Sequence, residues 1–385
     1  MMEYRELLHR CFRCGWCKLP SDFSDINCPA YLMHRFESFA SGGRLWLIDA
    51  WLNGAVQTSE RFLRILYSCA TCKNCVETCG VPGIKEYLVD MVIAAREEAV
   101  NRGVIPPAVK DYFQNIYNWG NPYKRARAER ADWAAGMDVP LYTDQPFLLY
   151  IGDEGSFDEA GARMSRSVAK LFSRLGISYG ILGEREVSDG NEVRTMGERG
   201  LFDYLAEESL GVFSELGITD IITVSPHSYN SFRNYFPREG SPINARHYTQ
   251  ALAGEIGKGL PMKKIGRTVT YHDPCYLGRW NGEYYAPRTV LAAIPGMDFR
   301  EMDRNGASSL CCGGGGGNFY SDAIGSGPDS AARARVREAA ATGADTLAVS
   351  CPVCYKMLDD AVKDEGLEGK LEVRDVSELV NEALE

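Results

Sequence analysis

The stretch TLAVSCPVCY at residues 346–355 decides the fold, because it reads as a buried strand running into a proline and two cysteines. A short apolar run is typical of a strand in a parallel sheet, and proline is favoured in the first turn of a helix. A stretch with the same plan, IITVSPHSY, lies upstream at residues 221–229. The chain is therefore predicted to carry two copies of one unit, with cysteines in the later copy and serines in the earlier one.

Strand and helix patterns alternate on both sides of these stretches and predict an α/β fold for both copies. The first copy has strand patterns at residues 147–152, 177–182 and 221–224, and helix patterns at 160–175 and 201–216. The second has strand patterns at 267–271 and 346–349 and a helix pattern at 331–342. We assign the first copy to residues 146–262 and the second to residues 263–385.

Thirteen cysteines fall into three sets with none left over. The first set is Cys11, Cys14, Cys17 and Cys28, the second is Cys69, Cys72, Cys75 and Cys79, and the third is Cys275, Cys311, Cys312, Cys351 and Cys354. The C-x2-C-x2-C triplets of the first two sets are typical of cubane [4Fe-4S] clusters, in which the fourth cysteine often serves the other cluster. We therefore predict a crossed assignment, with one cubane on Cys11, Cys14, Cys17 and Cys79 and the other on Cys69, Cys72, Cys75 and Cys28.

Two other uses of these cysteines are weaker. Disulfide frameworks suit small secreted domains, whereas this chain has 385 residues and an odd number of cysteines. Structural zinc sites usually pair two C-x2-C elements across a spacer, which a C-x2-C-x2-C triplet does not resemble.

The N-terminal part of the chain is expected to be helical. Between the first two cysteine sets, apolar residues recur at near-helical spacing in residues 44–52 and 61–67. We assign residues 1–100 to a helical unit with two clusters. Residues 101–145, with a Pro-Pro pair and several aromatic side chains, are expected to be a connector that packs on the protein's own core or on a partner.

The earlier copy has lost its thiols. When the two copies are aligned, the spacings agree to within three residues. The counterparts of the five cysteines in the third set are Asp153, Ser188, Asp189, Ser225 and Ser228. Oxygen ligands are poor replacements for thiolates at an iron–sulfur site, so we expect no cluster in this copy. A site for a hard cation at these oxygens is the alternative.

Composition excludes several other classes of function. The formal net charge is -10, which argues against nucleic-acid binding and fits a protein that docks other proteins. No apolar run approaches the ~20 residues that span a bilayer, and the first residues do not resemble a secretory signal, so we expect a cytoplasmic protein. No G-x-G-x-x-G motif follows a predicted strand, so flavin or NAD is expected on another subunit.

Three motifs of the second copy resemble a known family: HDPCYLGR at residues 272–279, CCG at 311–313 and CPVC at 351–354. They look like the cysteine-rich CCG domain of heterodisulfide reductases. With the N-terminal cysteine sets, the whole chain resembles the D-type subunit of those enzymes. It also resembles the iron–sulfur subunits of glycolate, lactate and glycerol-3-phosphate oxidoreductases, of electron-transfer-flavoprotein-linked oxidoreductases, and of class II benzoyl-CoA reductase complexes.

The resemblance implies an α/β fold with an N-terminal all-α ferredoxin domain and two tandem α/β CCG-type repeats. It also implies a noncubane [4Fe-4S] cluster at the five cysteines of the third set. Zinc or a [2Fe-2S] centre is the alternative there, although five thiolates exceed the four that structural zinc takes. The reductase uses two noncubane clusters to split a disulfide, and here one is expected to be absent.

Smaller features accompany the third set. In the five-glycine run that begins at Gly313, we predict that Gly313 and Gly314 bring backbone N–H groups to the cluster, although a flexible loop or an access route has the same composition. His272 is either a hydrogen-bond donor that tunes the cluster or a structural histidine. His227, in the earlier copy, is expected to be structural. Arg279 and Arg288 either offset thiolate charge or lie at the surface.

These observations favour an electron-transfer subunit of a hetero-oligomeric oxidoreductase, whose partner is a flavoprotein or another iron–sulfur subunit. The alternative is a disulfide reductase acting at the single noncubane site. A scaffold protein with zinc is a third hypothesis, which metal analysis would separate from the others.

Overall fold

The computed structural model describes residues 4–19, 25–236, 243–256 and 258–384. Within these residues, the regular elements of the N-terminal part are all helices. They are α1 (Pro29–His34), α2 (Ser41–Leu52), α3 (Glu60–Tyr67), α4 (Asn74–Thr78), α5 (Leu88–Asn101) and α6 (Pro107–Trp119), with short 3-10 turns at Leu8–Arg10, Trp16–Lys18, Glu37–Phe39 and Lys85–Tyr87. The two helices expected between the first cysteine sets are α2 and α3. Ser59 caps α3 by accepting a hydrogen bond from the Phe62 amide, as its hydroxyl favours.

The segment expected to be a connector contains an ordered helix. Pro107 stands in the first turn of α6, and Gly120 ends the helix with a φ of 70°, which glycine adopts at low cost. Tyr112 and Phe113 are buried in the core, whereas Tyr117 is exposed. A 3-10 stretch at Arg127–Ala134 follows. This segment therefore packs mainly on the protein's own core.

The first parallel sheet contains four strands in the order β2-β1-β3-β4. In chain order its elements are β1 (Phe147–Tyr150), α7 (Gly152–Phe157), α8 (Glu159–Arg174), β2 (Tyr179–Gly180), α9 (Asn191–Thr195), α10 (Arg199–Leu216), β3 (Asp220–Thr223), α11 (Pro226–Asn234), β4 (Asn244–His247) and α12 (Tyr248–Ile256). The six-residue strand expected at 177–182 is shorter, because beyond β2 only Ile181 pairs, through one bridge to Leu141.

The second parallel sheet has the same arrangement, β6-β5-β7-β8. Its elements are β5 (Thr268–Tyr271), α13 (Tyr285–Ala292), β6 (Asp298–Phe299), α14 (Asn318–Ser321), α15 (Ala331–Ala341), β7 (Thr346–Val349), α16 (Pro352–Asp364), β8 (Glu372–Asp375) and α17 (Val376–Leu384). In both sheets the central strand runs directly into a helix that begins with proline, α11 or α16. The fold is thus mixed α/β, with two like parallel sheets behind a helical N-terminal part.

Arg96 joins the helical part to both sheet units. Its guanidinium is fully buried and donates to carbonyl oxygens on three separate parts of the chain. The acceptors are Leu66, Tyr67 and Cys69, Thr195 of the first sheet unit, and Gly316 of the second. A buried cation is stable only when its donors are satisfied, so Arg96 fixes these three segments relative to one another. Among the described residues, no helix is long and apolar enough to cross a membrane.

Candidate iron–sulfur centres

The first enclosed cavity of the helical part is lined by four thiols from two separate segments. They are Cys11, Cys14, Cys17 and Cys79. Cys14 is exposed, and the other three are partly buried. These are the four cysteines that we predicted to hold the first cubane. That they bind a cluster stays a prediction.

A second cavity, beside the first, is lined by the remaining thiols of the helical part. They are Cys28, Cys69, Cys72 and Cys75, and Cys17 lies between the two cavities. Burial raises the pKa of Cys28 to about 11 and that of Cys17 to about 12. Thiols in such surroundings stay protonated unless a metal ion stabilises the thiolate. The convergence and the burial of these thiols therefore fit a metal cluster better than free cysteines.

The backbone curls in the same way around both cysteine triplets. The residues that flank the middle cysteine on either side are left-handed in each case: Arg13 and Gly15 around Cys14, and Thr71 and Lys73 around Cys72. Left-handed conformations cost non-glycine residues about 1–3 kcal/mol and persist where the surroundings impose them. The shared curl lets three thiols spaced by two residues point to one centre.

The five cysteines of the third set converge in the second sheet unit, at the ends of its strands. The Sγ atoms of Cys275 and Cys311 are 3.7 Å apart, and those of Cys312 and Cys354 are 3.4 Å apart. Cys351 caps α16, and its Sγ accepts from the Cys354 amide. All five are buried. The arrangement can hold a cluster whose ligands come from three different loops.

His272 adds a nitrogen donor to this group. A ring nitrogen of His272 and the Sγ atoms of Cys312 and Cys354 all lie within 4.8 Å of one another. Arg335 donates to Nδ1 of His272 at 3.2 Å, so the proton of a neutral ring is on Nε2. Interactions with Cys311 and Cys354, and less strongly with His272, lower the pKa of Cys312. Nε2 of His272 has no hydrogen-bond partner among the described residues, so it is available to donate to a sulfur atom of a bound cluster.

The glycine run beside the cysteine pair is buried, so it does not act as an open access route. The Gly313 amide donates to Cys311 Sγ at 3.3 Å, as a backbone nest would. A Cβ at Gly314 would lie 2.6 Å from Val353, and one at Gly316 would lie 2.5 Å from the carbonyl oxygen of Cys69. The glycines therefore allow the third cysteine set to approach the second.

The second and third sets lie next to each other. Cys72 and Cys311 belong to one cluster of buried side chains, and the interaction with Cys311 raises the pKa of Cys72. Arg279 is buried beside them and donates to the Cys72 carbonyl oxygen at 2.6 Å. The pKa of Arg279 is raised by the neighbouring thiols against the effect of burial. Arg288, by contrast, is bound by Asp273 and Glu301.

The cysteine counterparts in the first sheet unit pair in the same pattern without sulfur. Ser188 donates to Asp153 at 2.6 Å, where the second copy has the pair Cys311 and Cys275. Similarly, Ser228 donates to Asp189 at 2.6 Å, where the second copy has Cys354 and Cys312. Ser225 caps α11 as Cys351 caps α16. Hydrogen bonds therefore replace the thiol contacts one for one.

A buried arginine pairs with one carboxylate of this polar group. Arg130, from the 3-10 stretch after α6, donates to Asp153 at 2.6 Å and to Glu186 at 3.2 Å. It is only 2% exposed. The two carboxylates raise the pKa of Arg130 against the effect of burial. No sequence pattern pointed to Arg130, because an arginine between Glu129 and Ala131 reads as a surface charge.

His227 reaches from the first sheet unit to the third cysteine set, which sequence reasoning missed. Its Nδ1 lies 2.6 Å from Glu192, and its ring also contacts Cys351. Burial acts against the ionised form of both side chains, but Cys354 and His227 lower the pKa of Cys351 to about 6. The copy without cysteines therefore forms one wall of the thiol site of the other copy.

Two family models match this chain. A 4Fe-4S dicluster domain matches residues 7–82, and a cysteine-rich CCG domain matches residues 269–359. The chain thus carries a 4Fe-4S dicluster domain and a cysteine-rich domain, and together these matches include all thirteen cysteines.

Among curated proteins, the chain is 32% identical to the probable iron-sulfur-binding oxidoreductase FadF of Bacillus subtilis over 86% of its own length and 48% of that protein. It is 30% identical to the D-type subunit of the dihydromethanophenazine:CoB–CoM heterodisulfide reductase of Methanosarcina barkeri, over 98% of this chain and 94% of that subunit. The chain spans about half the length of the first relatives it matches.

A solved structure shares the fold. The crystal structure of a hypothetical protein from Helicobacter pylori matches with a TM-score of 0.57 at 10% identity, over 90% of this chain and 68% of that one.

Proposed function

The chain belongs to the family of iron–sulfur oxidoreductase subunits that includes the D-type subunit of heterodisulfide reductase, and on that premise we propose that it is an electron-transfer subunit. The proposal includes two cubane [4Fe-4S] clusters, on Cys11, Cys14, Cys17 and Cys79 and on Cys28, Cys69, Cys72 and Cys75. It also includes a noncubane [4Fe-4S] cluster on Cys275, Cys311, Cys312, Cys351 and Cys354. The partner in this proposal is a flavoprotein or another iron–sulfur subunit in a hetero-oligomeric complex.

The proximity of the second and third thiol sets is the observation that carries the proposal: Cys72 and Cys311 share one buried cluster, and Gly316 packs against the Cys69 carbonyl oxygen. Iron–sulfur clusters, when bound, take up and release single electrons. Cys17 lies between the first two thiol groups, and Cys72 joins the second group to the third. The ligands therefore form one continuous series from the exposed Cys14 to the buried third set, and such a series suits transfer along the chain.

Disulfide reduction at the third set is the second candidate. The name of the Methanosarcina relative favours it, and so does the lowered pKa of Cys351, because a thiolate is the reactive form of cysteine. Two observations weigh against it here. All five thiols are buried, and the first copy offers Asp153 and Ser188 where a second cluster would need thiolates.

Metal analysis of anaerobically purified protein tests the proposal. We expect about twelve iron and twelve acid-labile sulfide per chain, as three four-iron clusters require. Colourless protein without iron contradicts it. The crossed ligand assignment is tested by Cys79→Ser, which should perturb the same EPR signal as Cys14→Ser, whereas Cys28→Ser should perturb the signal that Cys72→Ser does.

Turnover assays separate the two candidates. An electron-transfer subunit, once reduced, should donate electrons to a protein acceptor and leave small disulfides unchanged. Stoichiometric consumption of a small disulfide by the reduced protein, lost in Cys351→Ser, would instead support the reductase.

A further inference from the structure

Aromatic and basic side chains surround the one exposed cysteine of the three sets. We infer that this surface, the Cys14 face formed by Arg10, Phe12, Arg13, Trp16 and Trp46, docks a redox protein whose own redox centre is ringed by carboxylates. The inference rests on the proposed electron-transfer function and adds the point of contact and the chemistry of the partner.

The exposure of the aromatic side chains is the first argument. Phe12 is 78% exposed, Trp16 52% and Trp46 38%. Single exposed aromatics are common, but three around one ligand of a candidate cluster form a patch of the kind found at protein interfaces. Electron transfer between proteins needs a short distance between centres. Cys14 is exposed while the five cysteines of the third set are buried, so a partner comes closest here.

The face is held in place before any partner binds. Trp46 is anchored on α2, and its Nε1 donates to the Cys11 carbonyl oxygen at 3.0 Å. The Arg13 guanidinium lies over the Trp46 ring, 3.8 Å from its centroid, which is a cation–π contact. Side chains that are already ordered lose less conformational entropy on binding, which favours complex formation.

The charge of the face is opposite to that of the whole chain. The chain has a formal net charge of -10, yet residues 7–19 contain Arg10, Arg13 and Lys18 and no acidic residue. Lys18 is bound by Glu37 at 2.7 Å. Neither Arg10 nor Arg13 has a carboxylate partner within the described residues. An acidic partner is repelled by most of the surface and attracted here, so electrostatics would orient its approach.

Complex formation with an acidic probe protein tests the inference without relying on turnover. Anaerobic calorimetry would measure the Kd of the chain for an acidic flavodoxin at low and high salt, with a basic c-type cytochrome as the opposite probe. We expect binding of flavodoxin that weakens with salt, whereas any binding of the cytochrome, titrated separately, should not be weakened by changes to the Cys14 face. The double variant Arg10→Gln/Arg13→Gln should raise the Kd at least tenfold, and Phe12→Ser severalfold.

The matched control removes an exposed cation and an exposed aromatic side chain from another face. Arg199 and Tyr204 both lie on α10 and are exposed, so Arg199→Gln/Tyr204→Ser should leave the Kd unchanged. Reduction of the chain by reduced flavodoxin, followed by stopped flow, should slow in the Cys14-face variants only. Dithionite, which needs no docking surface, should reduce every variant at the same rate.

Several results would overturn the inference and leave the proposed function standing, provided that the protein contains its iron and is reduced by dithionite. The first is that the wild-type chain does not bind flavodoxin. The second is that the double variant Arg10→Gln/Arg13→Gln has an unchanged Kd, and the third is that the control variant Arg199→Gln/Tyr204→Ser weakens binding as much. Concentration-dependent dimerisation that the Cys14-face variants abolish would assign the face to a second copy and also overturn it. Protein without iron would contradict the proposed function instead.

Discussion

Replacing Arg130 by methionine should destabilise the first sheet unit strongly. Arg130 is buried among Asp153, Glu186 and the Gly120 carbonyl oxygen, and it donates to all three. Methionine keeps much of the volume and removes the charge. Within the described part of the chain, Arg130 is the cation that pairs with both of these buried carboxyl groups, and the substitution leaves them without it.

The magnitude follows from what those carboxyl groups can do. Removing one partner of a buried ion pair typically costs about 3–5 kcal/mol. A buried carboxyl group that has lost its cation can take up a proton instead, which costs about 1.4 kcal/mol for each pH unit above its pKa and is therefore cheaper at lower pH. Glu186 adds less, because burial already raises its pKa to about 7. We therefore expect a loss of about 3–5 kcal/mol at pH 7.5, and a smaller loss at pH 6.

Hydrogen exchange of the β1 and β3 amides measures this loss locally, which suits a chain too large for two-state unfolding. A loss of about 3–5 kcal/mol corresponds to exchange about 10²–10³ times faster or more where opening of this unit limits exchange. The control is Arg127→Met, three residues before Arg130, which removes an exposed ion pair with Glu208 and should cost at most about 1 kcal/mol. Equal effects of the two substitutions, or a loss at pH 6 as large as at pH 7.5, would refute the reasoning.

Three further changes test other parts of the structure. Burial raises the pKa of Glu154 to about 8. Its neutral form therefore stabilises the fold at low pH, and this stability is lost as the pH rises from about 5 through 8. In a plot of Tm against pH, Glu154→Gln should flatten this decline. His272→Leu removes a hydrogen-bond donor beside the third cysteine set. It should lower the reduction potential of the cluster proposed there by about 40–60 mV in an EPR redox titration, whereas His272→Gln should lower that potential less. Gly316→Ala should lower the Tm far more than Gly306→Ala, because both have positive φ but only the first Cβ meets backbone, at 2.5 Å from the Cys69 carbonyl oxygen.

The central strands of both sheets were predictable, because each is a short run of apolar or β-branched residues, and β3 and β7 have a helix start after them. The strands β1, β3, β5 and β7 lie within one or two residues of the expected stretches. Among the edge strands, β2 was expected within residues 177–182, whereas β4, β6 and β8 were not predicted. β8, with the sequence EVRD, buries only alternate residues, and β6 has two residues, so neither forms an apolar run. Their pairing depends on the neighbouring strand rather than on their own composition.

Spacing was enough to suggest which thiols meet, because a C-x2-C-x2-C triplet confines its cysteines to one loop. It could not predict contacts that depend on how the units sit against one another. His227 belongs to a copy without thiols and lies beside Cys351 of the other copy only because the two sheet units face each other. Arg96 and Arg130 were missed for a related reason, since a buried arginine has no sequence signature until its acceptors are known.

The oxygen-bearing residues of the first copy satisfy one another's hydrogen bonds. The backbone keeps the positions of Asp153 and Ser188, and of Asp189 and Ser228, as close as those of the thiols to which they correspond. An empty pocket there would leave buried polar atoms unpaired, at about 1–3 kcal/mol each. Two serine hydroxyls that donate to carboxylates, together with the ion pair between Arg130 and Asp153, satisfy these atoms.

That group also constrains the site that is kept. Asp189 accepts from the Asn191 amide in the turn before α9, and the first turn of that helix places Glu192 against His227. His227 in turn contacts Cys351 and acts to lower its pKa against the effect of burial. The polar group of the first copy and the thiol set of the second are therefore joined through three side chains. Because of this connection, a change in the copy without cysteines alters the surroundings of the buried thiols in the other copy.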